Sequence, residues 1–135
     1  MTPIQTKVLI IDDDPGVLFL HEIIVKESKL SLTPECYNDA QKALKYIKSI
    51  DESGSKLLIF LDINMPKMSG WSFLDALVNT IEFMDIKVVM VTSSLSKIDR
   101  EKTSDYPFVI DFWEKPMDET QTQLLHERLS DWIVA

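Results

Sequence analysis

The chain has 135 residues, 45% of them hydrophobic, enough for one domain with a sizeable core and too few for two of that size. Its 22 acidic and 14 basic residues leave a net charge of −8, which repels phosphates, and no Lys/Arg run offsets it, so direct nucleic-acid binding is not expected. With no apolar run near the roughly 18 residues of a membrane span, no signal-peptide pattern in Met1-Thr2-Pro3-Ile4-Gln5, and one cysteine, a cytoplasmic protein without membrane insertion, internal disulfide or Cys-based zinc site is expected.

The first apolar run, Val8-Leu9-Ile10-Ile11, suits a strand covered on both faces, and it ends in Asp12-Asp13-Asp14. Asp14 before Pro15 is a helix start, an N-cap followed by proline in the first turn, and the helix is expected to bury Val17, Leu20 and Ile24. A weaker strand around Ser31 to Tyr37 contains Pro34, which suits a sheet edge. Cys36 within it is expected as a small buried hydrophobe. Ala40, Ala43, Leu44 and Ile47 recur at i, i+3, i+4 and i+7, marking one face of a second helix, and Ser53-Gly54-Ser55 reads as a loop.

The run Leu57-Leu58-Ile59-Phe60-Leu61 is too short for a buried helix and enters Asp62-Ile63-Asn64-Met65-Pro66, which ends a third strand. Leu74, Leu77, Val78 and Ile81 line a third helix. Val88-Val89-Met90-Val91 forms the fourth strand, closed by Thr92-Ser93. Lys97 to Ser104 is polar and lacks an apolar stripe, so a short, loosely held fourth helix is expected. Phe108-Val109-Ile110 with Phe112 gives the fifth strand, followed by Lys115-Pro116. The last helix starts near Asp118, with Gln121 three residues on, and is expected to bury Leu125, Leu129, Trp132 and Ile133. Five strands alternating with five helices imply an α/β fold with a parallel sheet between two helix layers.

Every strand but the edge one thus ends in polar residues of a distinct type: Asp12, Asp13 and Asp14; Asp62; Thr92 and Ser93; Lys115. Singly, each has a bland reading as a helix cap, a turn or a solvated charge. In a parallel sheet the same ends share one edge, where open α/β sheets bind ligands. Clustered carboxylates repel unless a cation lies between them, and oxygen ligands without His or Cys select Mg²⁺ or Mn²⁺. With a lysine and a hydroxyl added, the natural anionic substrate is a phosphoryl group, which a carboxylate can accept in line as an acyl phosphate.

The motifs VLIIDDDPG (Val8 to Gly16), IFLDINMPKMSG (Ile59 to Gly70), VVMVTSS (Val88 to Ser94) and DFWEKP (Asp111 to Pro116), in this order and covering nearly the whole chain, resemble the CheY-like receiver domains of two-component response regulators. The resemblance implies a flavodoxin-like (βα)5 fold with strand order 2-1-3-4-5, residues 1–135 being a single stand-alone receiver domain with no output domain. It makes Asp62 the phosphoacceptor. Asp13 becomes a direct Mg²⁺ ligand, Asp12 a ligand through water, and Asn64 a backbone-carbonyl ligand. Lys115, in a cis bond to Pro116, contacts phosphoryl oxygens; Thr92 is the switch hydroxyl and Phe112 the switch aromatic. Gly70 falls at the turn into the third helix, where receivers usually carry glycine.

The implied function is a phosphorylation-dependent switch that catalyses only its own modification and is not a turnover enzyme on an external substrate. A sensor histidine kinase or a histidine phosphotransfer protein would donate the phosphoryl group. A downstream protein would read the face formed by the fourth helix, fifth strand and fifth helix, with the receiver a monomer or a weak phosphorylation-dependent dimer.

Two alternatives remain open. A pseudo-receiver would bind partners without phosphate, although the set Asp12, Asp13, Asp62, Thr92 and Lys115 is complete. A haloacid-dehalogenase-type phosphatase needs a second aspartate where Asn64 stands. Ser93 replaces the alanine common in receivers, Asn64 and Ser94 occupy positions that tune hydrolysis, and Asp105-Tyr106-Pro107 departs from the usual small-residue turn. His21 and His126 are expected at surface or boundary positions, and the methionines as core or gap filler, with Met65 and Met68 flanking the site. Trp113 points away from Phe112, into either the output face or the core.

Overall fold

The computed structural model describes residues 6–93 and 96–134. The expected strands form one five-stranded, all-parallel sheet in the order β2-β1-β3-β4-β5: β1 (Thr6–Ile11), β2 (Glu35–Tyr37), β3 (Lys56–Leu61), β4 (Asp85–Thr92) and β5 (Val109–Glu114). Between and after them run α1 (Pro15–Glu27), α2 (Ala40–Ser49), α3 (Gly70–Thr80), α4 (Lys97–Lys102), a 3-10 turn (Thr103–Asp105), α5 (Glu119–Arg128) and α6 (Ser130–Val134). This is the flavodoxin-like order, with β1 the strand from which the chain runs first to one side and then to the other. Ile11 pairs with Leu61, so Asp12 and Asp62, one residue beyond, emerge side by side.

Alternation along the strands divides the core in two. Leu9, Ile11, Leu57, Ile59, Leu61, Val88 and Met90 face α2 and α3, whereas Val8, Ile10, Leu58, Phe60, Val89 and Val91 face α1 and α5. Trp113 lies in the second cluster against Phe60, with ring centroids 5.9 Å apart, so of its two expected places it takes the core. The helix starts follow the sequence signals. Asp14 accepts from the N–H groups of Gly16 and Val17, and Asp118 and Gln121 complete a capping box. Gly54 supplies the left-handed turn before β3, with φ 87°.

Several expectations are corrected. α1 buries Leu18, His21 and Val25; Leu20 is exposed, and Val17 and Ile24 are only half-buried. The helix is apolar on most sides, so its period alone does not select the inner face. In α3, Val78 is exposed while Trp71 and Phe73 join Leu74 and Leu77 inside. Cys36 is half-buried rather than buried. The last helix breaks at Leu129, which stays buried, and Trp132 and Ile133 belong to α6 and are half-buried. His21, expected near the surface, is buried with 1% of its surface exposed. His126 is at a boundary. Among the described residues no helix is long and apolar enough to cross a membrane.

Candidate functional site

The carboxyl ends of β1 and β3 are fixed by the sheet itself. The N–H of Asp62 donates to Ile11 O at 3.0 Å and that of Asp12 to Tyr37 O at 3.1 Å, so both aspartates continue the ladder by one step. Both carboxylates are buried, while Asp13 is exposed beside them. One oxygen from each of Asp12, Asp13 and Asp62 lies within 4.8 Å of the others. Asp14 stands apart: its side chain is spent on the start of α1, and its own N–H donates to Asp12 Oδ1 at 2.9 Å.

Lys115 closes the group from β5. Its Nζ lies 2.9 Å from Asp12 Oδ2 and 3.3 Å from Asp62 Oδ2, and its backbone N–H donates to Thr92 O at 2.7 Å, which ties the end of β5 to the end of β4. The Lys115–Pro116 bond is cis. Thr92 is fully buried. Asn64 is exposed, and its N–H donates to Asp62 Oδ1 at 3.3 Å. Phe112 is half-buried, packed on the α2–α3 side of the sheet, with the Arg100 guanidinium 5.7 Å from its ring centroid. Ser93 is exposed, and Ser94 lies outside the described residues.

Electrostatics mark Asp62 as the unusual carboxylate. Burial, and next the charge of Asp12, push its pKa up to about 6, against the pull of Lys115 and the Asn64 N–H. Burial alone would lower the pKa of Lys115, but its hydrogen bond to Asp12 and the charges of Asp12 and Asp62 outweigh this, and the net shift is upward. One ammonium therefore serves two buried carboxylates, with a third alongside. A set of three carboxylates without His or Cys suits a hard divalent cation such as Mg²⁺ or Mn²⁺, which would relieve the remaining repulsion.

The turn that carries Asp62 into α3 is tight. The Gly70 N–H donates to Ile63 O at 2.8 Å, and a Cβ at Gly70 would lie 2.7 Å from Asp62 O and 2.9 Å from Ile63 Cα. Both obstacles are backbone, so glycine is required here by close approach. Met65 and Met68 are half-buried and line a cleft of about 320 Å³ that borders Asp13, together with Asn38, Asp39 and Lys67.

Two residues of this neighbourhood were not assigned to it from sequence: His21, expected at a surface or boundary position, and Trp71. His21 Nε2 accepts from the Met117 N–H at 3.2 Å, holding the loop that follows Lys115; burial and the Lys115 charge lower its pKa to about 4, so it is neutral. Nothing local in the sequence signals this, because the donor lies 96 residues away. Trp71, directly after Gly70, reaches α4 through its indole. Its place three residues before Leu74 extends the α3 stripe and was a readable sign of burial.

Comparison with known proteins agrees with this geometry. No curated protein matches the chain in sequence. Among solved structures it is similar to a response regulator receiver protein from Dyadobacter fermentans DSM 18053, at 25% identity over 96% of this chain and 99% of that one, with a TM-score of 0.73. A two-component response regulator from Cytophaga hutchinsonii gives 23% identity, coverage of 96% and 99%, and a TM-score of 0.82; at that identity it supports the fold. A bacteriophytochrome response regulator, RtBRR, gives 28% identity, coverage of 88% and 74%, and a TM-score of 0.71. Residues 8–127 match the family model for the response regulator receiver domain, and the chain belongs to that family, a signalling domain of two-component systems.

Proposed function

We propose that Asp62 accepts a phosphoryl group from a phosphohistidine and that the 135 residues act as one receiver unit whose partner-binding face depends on that modification. The observation that carries this reading is the juxtaposition of the buried Asp62 carboxylate with Asp12, Asp13 and the Lys115 ammonium at one sheet edge. The donor would be a sensor histidine kinase or a histidine phosphotransfer protein in the cytoplasm, its histidine approaching along the cleft beside Asp13.

In the transfer an Asp62 oxygen bonds to phosphorus as the P–N bond breaks. The bonding pair stays on the donor imidazole, which takes up a proton. Asp12, Asp13, Asp62 and the Asn64 carbonyl would hold Mg²⁺ or Mn²⁺, which supplies positive charge against the phosphoryl oxygens. Lys115, already between Asp12 and Asp62, moves its charge onto the new phosphate. Thr92 donates its hydroxyl to a phosphoryl oxygen, and Phe112 follows into the vacated space, altering the α4–β5–α5 face that a downstream protein reads.

The test is intact mass after incubation with acetyl phosphate, with and without Mg²⁺, for the wild type and Asp62→Asn. One phosphoryl adduct that needs both Mg²⁺ and Asp62 is expected. An adduct retained in Asp62→Asn, or no adduct in a folded sample that also fails to bind beryllofluoride, overturns the reading, the latter in favour of a pseudo-receiver.

A further inference from the structure

The attachment of α4 is unlike that of the longer helices. None of its six residues is buried, and its one aliphatic side chain, Ile98, is 76% exposed. A helix of six residues has no stability of its own and needs tertiary contacts. Two aromatic rings provide them. The Trp71 Nε1–H donates to Asp99 Oδ1 at 3.0 Å, and the Lys102 ammonium lies 5.3 Å from the centroid of the same indole. The Arg100 guanidinium lies over Phe112.

The two anchors differ in freedom. Trp71 is buried in the first turn of α3, directly after Gly70, whose N–H donates to Ile63 O and which leaves no room for a Cβ against Asp62 O. It is also backed by Tyr106, stacked on it at 5.5 Å, whose hydroxyl donates to Asp75 Oδ1 at 2.8 Å on the same helix as Trp71. The Asp105-Tyr106-Pro107 stretch, which departs from the usual small-residue turn, thus braces the indole from behind. Trp71 therefore cannot shift without the turn that carries Asp62. Phe112 is a half-buried side chain on β5 that changes place in the reading above.

We propose that Trp71 is the positioning residue of the partner-binding face: its indole is a fixed pivot that keeps Asp99 and Lys102 while Arg100 gives up Phe112, so α4 turns about Trp71 when Asp62 is modified. The movement rests on the proposed function; the hold of Trp71 on α4 does not. Trp71 thus adds to the Thr92–Phe112 switch a fixed point, anchored at the Asp62–Gly70 turn, about which the displacement of α4 becomes a rotation.

The experiment is amide exchange and indole N–H spectroscopy on the full chain labelled with nitrogen-15, with and without beryllofluoride and Mg²⁺. In the resting protein, Asp99→Ala and Trp71→Phe should each speed exchange of the amides at 100–103 about tenfold, as expected for loss of a hydrogen bond to a charged group. Asp99→Asn retains an acceptor oxygen and should restore exchange to near the wild-type rate, which a general weakening of α4 would not do. On activation the amides of α4 should shift while the Trp71 indole N–H stays protected. Unchanged exchange in Asp99→Ala, or an indole N–H that becomes labile on activation, overturns the proposal. If beryllofluoride leaves the surroundings of Asp62 unchanged, the receiver reading fails and the pivot with it, whereas the resting-state comparison still decides whether Trp71 holds α4.

Discussion

Two successive strand ends of this molecule are built in opposite ways. After β3, the chain from Asp62 to α3 is pinned by Asp62 N–H to Ile11 O, by Gly70 N–H to Ile63 O, and by five buried residues within α3. After β4, α4 contributes no buried residue and is met by an indole hydrogen bond and cations over two rings. The first arrangement holds carboxylate oxygens of Asp12, Asp13 and Asp62 within 4.8 Å of one another, as the proposed chemistry requires, which tolerates little play. The second leaves an element whose position can change at small cost, and elements that move on switching come from the weakly held parts of a fold. On the proposed reading, reaction and read-out thus lie on adjacent loops, with Trp71 joining them.

The contrast is sharpest in the cores of the two helices. Leu74→Ala in α3 removes a fully buried side chain and should destabilise by about 2–5 kcal/mol in urea unfolding.

The next effect is on the pH dependence of stability without divalent ions. His21 has a folded pKa of about 4 against an ordinary 6.5, so the stability from keeping it neutral is complete above pH 6.5 and lost as the pH falls to about 4. Asp62 has a folded pKa of about 6 against an ordinary 3.8, so its ionisation costs stability above pH 6, and acidification relieves that cost. Each shift corresponds to roughly 3 kcal/mol, with opposite signs over pH 4–6. Asp62→Asn should expose the His21 loss as a steeper fall on acidification; His21→Gln should flatten or reverse it. Parallel profiles for the two variants would contradict the assignment.

Gly70→Ala forces a Cβ onto the Asp62 and Ile63 backbone and should cost about 1–3 kcal/mol, with slower adduct formation from acetyl phosphate. Asp14→Ala removes a helix cap, about 1 kcal/mol, and should leave Mg²⁺-dependent adduct formation intact, separating Asp14 from Asp12 and Asp13. Ile98→Ala in α4 should change stability by no more than about 0.5 kcal/mol. A large loss there would contradict the contrast between the two loops.

The elements most readable in sequence are those whose signal is local. β1, β3 and β4 are buried on both faces and read as unbroken apolar runs, and the starts of α1 and α5 carry Asp14-Pro15 and Asp118 with Gln121. The site was readable for a related reason, since strand ends in a parallel sheet share an edge and Asp12, Asp62 and Lys115 each end a strand. What was not readable depends on distant partners. The inner face of α1 is set by what the sheet and α5 present, and His21 is buried because Met117 N–H needs an acceptor. The attachment of α4 was unreadable because its partner Trp71 lies 28 residues from Asp99.

The central claim is that Asp62 forms the acyl phosphate, and its most direct test is chemical trapping. After incubation with acetyl phosphate and Mg²⁺, borohydride reduces an aspartyl phosphate to homoserine, which peptide mapping locates. Homoserine at position 62, absent when Mg²⁺ is withheld, is the predicted result. Homoserine at position 12 or 13 instead, or none at 62 in a sample that carries a phosphoryl adduct, would contradict the account.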